Sequence, residues 1–371
     1  MALSATPFSP GAISITLDLV REGGGARARR VRIASSRPTG FSAALLVGRA
    51  ASEVPGVIGR LHSLCGRSHT AASEAALAAA AGRDGAEAVA GRIDGLIAER
   101  LAEHLRSTFA GVGPGRVEVS DREVLADLRA VLASARALDG VSGGASGAIE
   151  RIVKGLAGLG LGIDAKGRLA TRPGSWAAEA MSRMGPTCGD LYLPTDRLTA
   201  ADDAAVIAAL AADPKGFSAA PRLPGRRPET GPSARAGSGP GTADGRARLA
   251  ARLGEIAEAA ELLDAPAADK ARVTGDWVAA GRLDGGFGHA AVESPRGRLH
   301  HLARLDADGR IAAYAILAPT EWNFHADGPL AATLAANRWG GAGDAARVER
   351  IASLFDPCVG FDVEIRECGD A

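Results

Sequence analysis

Large side chains and net charge are what this sequence has least of. Aromatics make up 4% of its 371 residues, as eight Phe, four Trp and two Tyr, and there are only three Met. A core built on aromatic plugs is excluded. Basic and acidic residues number 43 each, so the formal net charge is zero. A neutral chain lacks the cationic field that nucleic acid or an anionic membrane surface needs as a main partner. No run approaches the roughly 18 consecutive apolar residues of a membrane span. The opening MALSATPFSPGAISITLDL has no basic start leading into an apolar stretch, so no secretory signal is expected and a cytoplasmic location is. Four Cys, at positions 65, 188, 358 and 368, are too few and too scattered for a disulfide framework. In a reducing compartment they are inert core thiols or metal ligands, and composition leaves that choice open.

What the chain has in quantity is Ala. Hydrophobic residues reach 46%, enough for a substantial core. Ala favours helix because it loses no side-chain entropy there. Closely approached helices with small contacts are therefore expected. Ser68–Ala81, Gly85–Phe109, Ser120–Leu138, Ala145–Leu159, Thr199–Ala212, Ala247–Leu263, Ala267–Ala280 and Asp344–Leu354 read as helices. Ser120 followed by Glu123 is a capping box, and Thr199 is a cap. Ile13–Leu19 alternates apolar and polar residues, and Arg30–Ala34 returns after a GGGARA turn. Arg298–Leu305 and Ile311–Ala318 form a second hairpin around an Asp-Gly turn. The predicted fold is α+β and predominantly helical, with small β-hairpins near the two ends. One domain over 1–371 is expected. It carries a Pro/Gly/Arg-rich insertion at about 213–246, which reads as a flexible, solvated loop.

Two short stretches carry chemistry. In RLHSLCGRSHT, His62, Cys65 and His69 fall at i, i+3 and i+7, one face if the stretch is helical. Imidazole and thiolate are the usual ligands of zinc, nickel and iron. In SLFDPCVGFDVE, the turn Asp356-Pro357-Cys358 fixes a cysteine backbone. Each alone is also explained by surface histidines and small buried thiols. Cys188 and Cys368 are candidates for a further thiolate, though inert roles fit them better. His300 and His301 alternate on a strand, so at most one should face the interior. His325 reads as a surface residue or a hydrogen-bonding neighbour of a metal site.

Together these segments resemble the large subunit of nickel–iron hydrogenases. The first signature of that family runs Arg, any, Cys, Gly, any, Cys, three residues, His. Here Arg60, Cys65 and His69 match, and His62 stands at the first Cys. The second runs Asp-Pro-Cys, two residues, Cys, two residues, His. Asp356, Pro357 and Cys358 match, Phe361 stands at the second Cys, and Glu364 at the closing His. Between them, Glu293, Pro295, Arg296 and Gly297 resemble the family's Glu-x-Pro-Arg-Gly strand pair. Pro319, Thr320, Trp322 and Asn323 resemble its Pro-Thr-x-Trp-Asn element. The Pro-Arg-Asp that usually follows reads Ala326, Asp327, Gly328, so its Arg is missing.

The resemblance implies a hydrogenase-large-subunit-like helical bundle with a degenerate metal centre. Carried over, Cys65 corresponds to a thiolate bridging the two metals and Cys358 to a terminal nickel ligand. Phe361 cannot ligate, and His62 would do so only as a neutral donor. Hydrogen turnover is not expected of such a site, nor is removal of a C-terminal extension. Accessory members of this kind, the HupK-type expression/formation proteins, imply a scaffold or chaperone for the metal centre. It would transiently bind iron or a nickel–iron precursor through Cys65, Cys358, His62 and His69. Its partners would be the hydrogenase large subunit or its maturation factors. The alternatives are a structural zinc site built from those same four residues, and a metal-free interaction protein. A catalytic hydrogenase subunit comes last.

Overall fold

Ile13, Ile15, Leu17 and Leu19 alternate with polar residues, and the strand they form buries all four. The computed structural model describes residues 11–111, 122–138, 145–184, 196–237 and 244–368. The Ser120 cap and Cys188 lie outside the described residues. The strands run β1 (Ile13–Glu22), β2 (Gly25–Ser35), β3 (Leu161–Ile163), β4 (Leu169–Thr171), β5 (Val278–Arg282), β6 (Phe287–Ser294), β7 (Gly297–Leu305), β8 (Ile311–Leu317), β9 (Arg338–Trp339) and β10 (Phe361–Glu367). The β1–β2 turn is made by Gly23 and Gly24, at φ 57° and 80°. The predicted α+β, mainly helical class holds. The two ends of the chain, however, share one sheet of order β10-β1-β2-β9, in which β10 pairs parallel to β1.

The second four-stranded sheet has order β5-β6-β7-β8. The predicted hairpin is its β7–β8 pair, and β6 extends it. Residues 278–280, read as the end of a helix, are strand instead. The helix stops at Trp277, and Val278–Ala280 pair with Val292–Ala290. Ladder pairing outweighs the weak helical preference of two alanines.

The Ala-rich helix Gly66–Ala80 lies across this sheet, buried on almost every side. Small residues make that possible. A Cβ on Gly288 of β6 would stand 2.1 Å from Ala80 N and 2.2 Å from Ala76 O. One on Gly66 would stand 2.7 Å from Gly59 O, in the preceding helix Val54–Leu61. Helices Ile93–Gly111 and Gly245–Asp264 pack together behind it, within the larger apolar core that also takes the inner face of β1. The described part of the 213–246 segment is mixed, with residues 213–216 and 224–227 exposed and 228–231 buried. Glu229 and Thr230 are buried, and helix Pro232–Arg235 packs on helix Gly245–Asp264. Composition does not show this burial, because Glu229 is paired with Arg248 and Thr230 with Asn323. Among the described residues, no helix is long and apolar enough to cross a membrane.

Candidate functional site

The first signature straddles a break between two helices, so its three candidates do not share one helical face. Helix Val54–Leu61 ends at His62, and Cys65 is the N-cap of helix Gly66–Ala80. Cys65 offers no side-chain cap, so the first turn is satisfied from elsewhere. The buried carboxylate of Glu99 accepts from Arg67 N at 2.7 Å and Ser68 N at 2.9 Å. That contact fixes where Cys65 sits.

Cys358 follows helix Asp344–Leu354 through the Asp-Pro turn. Asp356 adopts φ 49°, the positive-φ non-glycine residue among those described. The Thr320 hydroxyl donates to Cys358 Sγ at 3.4 Å.

Arg296 joins the two signatures. It occupies the β6–β7 turn with its side chain 2% exposed. Nη1 donates to Cys65 Sγ at 3.3 Å, Nη2 to Glu103 Oε2 at 2.9 Å, and Nε lies 3.5 Å from Asp356 Oδ2. Residues at 65, 296 and 356 are thus held in one cluster by a single guanidinium. Gly297 beside it, at φ 131°, passes against Thr230 and Gly231, where a Cβ would come within 2.3 Å of Thr230 Oγ1. Asn323 receives Thr230 N at 3.0 Å and donates back to Thr230 O at 2.9 Å. All three resembling segments therefore meet here, tied partly through the segment read as an insertion.

The cluster borders a cavity of about 400 Å³. Cys65, Cys358, His62 and His69 all line it, so the four sequence candidates share one wall space. They do not converge further. Among the described residues, no group of three or more His, Cys, Asp or Glu side chains stands close enough to hold a metal ion. His62 and His69 stack face to face instead, with centroids 3.8 Å apart. His69 Nδ1 is 3.0 Å from His301 Nε2, and His301 Nδ1 is 2.7 Å from the Tyr314 hydroxyl. Arg37 and Glu321 also line the cavity as a mostly buried ion pair.

Burial sets the protonation of this wall. It pushes the Cys65 thiol up to about 12, against the opposing pull of Arg296. Burial, helped by Arg37, lowers His62 to about 4. Burial likewise holds His69 and His301 well below the ordinary histidine range, and it raises Glu321. At neutral pH the cavity presents a protonated Cys65 thiol and neutral imidazoles. A metal bound to Cys65 must displace its thiol proton.

Other candidates fall elsewhere. Cys368 is at the end of β10, where its N–H donates to Leu19 O, and it does not line the cavity. Phe361 and Glu364 are on β10, with Glu364 exposed and paired to Arg366. His325 accepts from Asp327 N at 3.1 Å and lines a separate groove. His300 and His301 are both fully buried, which corrects the expectation of one. The sheet is covered on both faces, and His300 Nε2 bonds Asp203 Oδ1 at 2.9 Å on the other side. Arg37, Glu321, Tyr314 and Glu99 were not singled out from sequence. Glu321 sits inside the Pro-Thr-x-Trp-Asn element, whereas Arg37 has no local signal.

The hydrogenase expression/formation protein HupK of Bradyrhizobium diazoefficiens is 40% identical over 88% of this chain and 90% of its own length. The HupK protein of Rhizobium leguminosarum bv. viciae is 36% identical over 97% and 98%. The chain belongs to the HupK family of hydrogenase expression/formation proteins. No family model matches it. The fold is that of a nickel–iron hydrogenase large subunit. A chain of the NAD+-reducing [NiFe]-hydrogenase in the H2-reduced state superposes with a TM-score of 0.61, at 18% identity over 94% of this chain and 98% of that one. For this HupK-family member, the likeness to the hydrogenase is one of fold alone.

Proposed function

We propose that this chain is an accessory protein in assembly of the nickel–iron hydrogenase metal centre. It holds an iron or nickel–iron precursor between Cys65 and Cys358 and passes it on. The names of its relatives support the accessory role. The observation that carries the cargo reading is the Arg296 bridge. One buried guanidinium reaches Cys65 and Asp356, and so sets two thiols from opposite ends of the chain on one cavity. Two thiolates are a weaker hold than the four of the hydrogenase pattern. His62 and Phe361 stand at the other two thiolate positions, which supports handling of a metal centre over hydrogen turnover. Its partners are the hydrogenase large subunit or maturation factors, and it works in the cytoplasm.

The test is anaerobic purification after co-expression with the maturation machinery, followed by metal analysis and infrared spectroscopy. Iron with cyanide or carbonyl bands, lost in Cys65→Ala and Cys358→Ala, is the expected result. Metal-free protein, or metal unaffected by both substitutions, overturns the cargo reading.

A further inference from the structure

The cavity of Cys65 and Cys358 makes no use of the run PRLPGRRP, residues 221–228. In the fold this run lines a second groove, of about 570 Å³, together with Trp322, His325, Asp327 and Pro329. Its backbone is pinned. Arg227 N donates to Asp196 Oδ2 at 2.7 Å and Arg226 N to Leu223 O at 3.1 Å. The Arg226 guanidinium is taken up by Asp196 and Asp202. A pinned wall keeps its shape when something binds.

The polar side chains of the groove are mostly donors. Three guanidiniums line it against one carboxylate, Asp327. Arg222 meets that carboxylate through one contact at 3.4 Å, with the two side chains 69% and 63% exposed, so the pair is weak and easily exchanged. The exposed Arg227 guanidinium has no partner among the described residues. His325 Nδ1 accepts from Asp327 N, and a backbone amide can only donate, so the ring proton of neutral His325 is on Nε2. Burial, helped by Arg222, lowers the His325 pKa and keeps the ring neutral at pH 7. Trp322 is 2% exposed, and its indole N–H meets no acceptor among the described residues. A buried donor left in that way is costly, and an acceptor in the groove would complete it.

Charge alone would suit a free anion. The rest of the surface favours a larger occupant. Pro221, Pro224, Pro228 and Pro329 offer apolar rings, and Leu223 is buried beneath them. Prolines have no N–H, so strand addition along this wall is excluded and a peptide is held by its side chains. We propose that the groove docks an acidic peptide segment of a partner protein, whose carboxylates take the guanidiniums of Arg222 and Arg227 beside the donors of Trp322 and His325. Helix Pro319–Asn323 lines both spaces: Thr320 donates to Cys358 Sγ at the cavity, and Trp322 faces the groove. A partner docked here therefore lies against the element that contacts Cys358. The docking does not rest on the cargo reading and stands or falls without it.

The test is NMR of the full chain with its four Trp labelled at the indole nitrogen, the Trp322 signal being assigned by its loss in Trp322→Phe. The probes are a short acetylated peptide of alternating Glu and Leu, the same peptide with Gln for Glu, and inorganic phosphate. The Glu peptide is expected to shift the Trp322 signal saturably below about 1 mM, and added salt should weaken the effect. Arg222→Gln combined with Arg227→Gln, both at exposed positions, should weaken binding by about tenfold or more while the other indole signals stay in place. No shift by about 1 mM peptide, an equal shift with the Gln peptide, or a double variant that binds as the parent does overturns the proposal. Phosphate that shifts the signal at the same concentrations as the Glu peptide marks a site for a free ion and overturns the peptide assignment.

Discussion

Replacing Arg296 should reveal how far one guanidinium controls the Cys65 thiol. At 3.3 Å and an effective dielectric of about 20, its attraction for a thiolate is about 5 kcal/mol. Opposite charges in such contact shift a pKa by about 1–3 units. Burial already holds the thiol at about 12 with Arg296 in place. Arg296→Met should raise it further. Alkylation by iodoacetamide, followed at Cys65 by peptide mass spectrometry, then slows by about 10–1000-fold at fixed pH. Below the midpoint a raised thiol and a less accessible one slow alkylation alike, so a variant that keeps the charge has to separate the two.

Arg296→Met also leaves Asp356 without its paired cation, at a cost of about 3–5 kcal/mol for a broken buried pair, while Glu103 keeps Arg106. Arg296→Lys is therefore the companion. It keeps the charge but cannot span three partners, and an intermediate slowing is expected. Folded Arg296→Met protein whose Cys65 alkylates along the parent profile would refute the electrostatic role given to Arg296.

Three further outcomes follow from the same geometry. Gly288→Ala drives a Cβ to 2.1 Å from Ala80 N, so calorimetry should record a loss of at least about 1–3 kcal/mol, and unchanged stability would mean the sheet and helix are not in that contact. His62, His69 and His301 are held neutral in the fold but take protons in the unfolded chain, so their stabilisation is complete above about pH 6.5 and is lost as pH falls towards 4. His62 alone accounts for about 3 kcal/mol of that loss, and denaturant melts of the parent and His62→Phe between pH 7 and 4 should differ in slope accordingly. Glu321→Gln strands the mostly buried Arg37 and should cost about 3–5 kcal/mol, whereas the double replacement Arg37→Met with Glu321→Leu should recover much of it; additive losses in that cycle would refute a coupled pair.

How much of this was legible in the sequence differs between residues. Cys65 and Cys358 could be read because their local patterns are specific, and they do share a cavity. The single helical face expected of His62, Cys65 and His69 does not form, because the chain breaks between two helices at Cys65. The strand β10 was legible in principle. Phe361, Val363 and Ile365 alternate with Asp362, Glu364 and Arg366, but a motif reading of the same residues overlooks the alternation. Its parallel pairing with β1 joins residues about 350 apart, and no local signal encodes that. Arg37 enters the cavity from the loop after β2 for the same non-local reason. Within the 213–246 segment, composition measures polarity and not pairing. Arg235 reaches Glu255 and Glu293 at 2.7 Å each, and Arg248 reaches Glu229, so part of a polar stretch is buried.

The same burial that hides these residues bears on how a carrier works. A metal binds a thiolate, so capture at pH 7 must first remove the Cys65 proton. For an ordinary thiol at 9.0 that is two units, or about 3 kcal/mol; for Cys65 at about 12 it is five, or about 7 kcal/mol. The net shift, in which burial outweighs Arg296, thus weakens the grip of Cys65 by about 4 kcal/mol, or roughly a thousandfold. A permanent metal site gains nothing from such a penalty. A carrier does, because its cargo must leave for a site with more thiolates. Arg296 works in the opposite direction and keeps the penalty from growing until capture fails. In the proposed carrier role, the balance between apolar burial and one guanidinium, more than the count of surviving cysteines, would set whether this cavity can both take a metal and give it up.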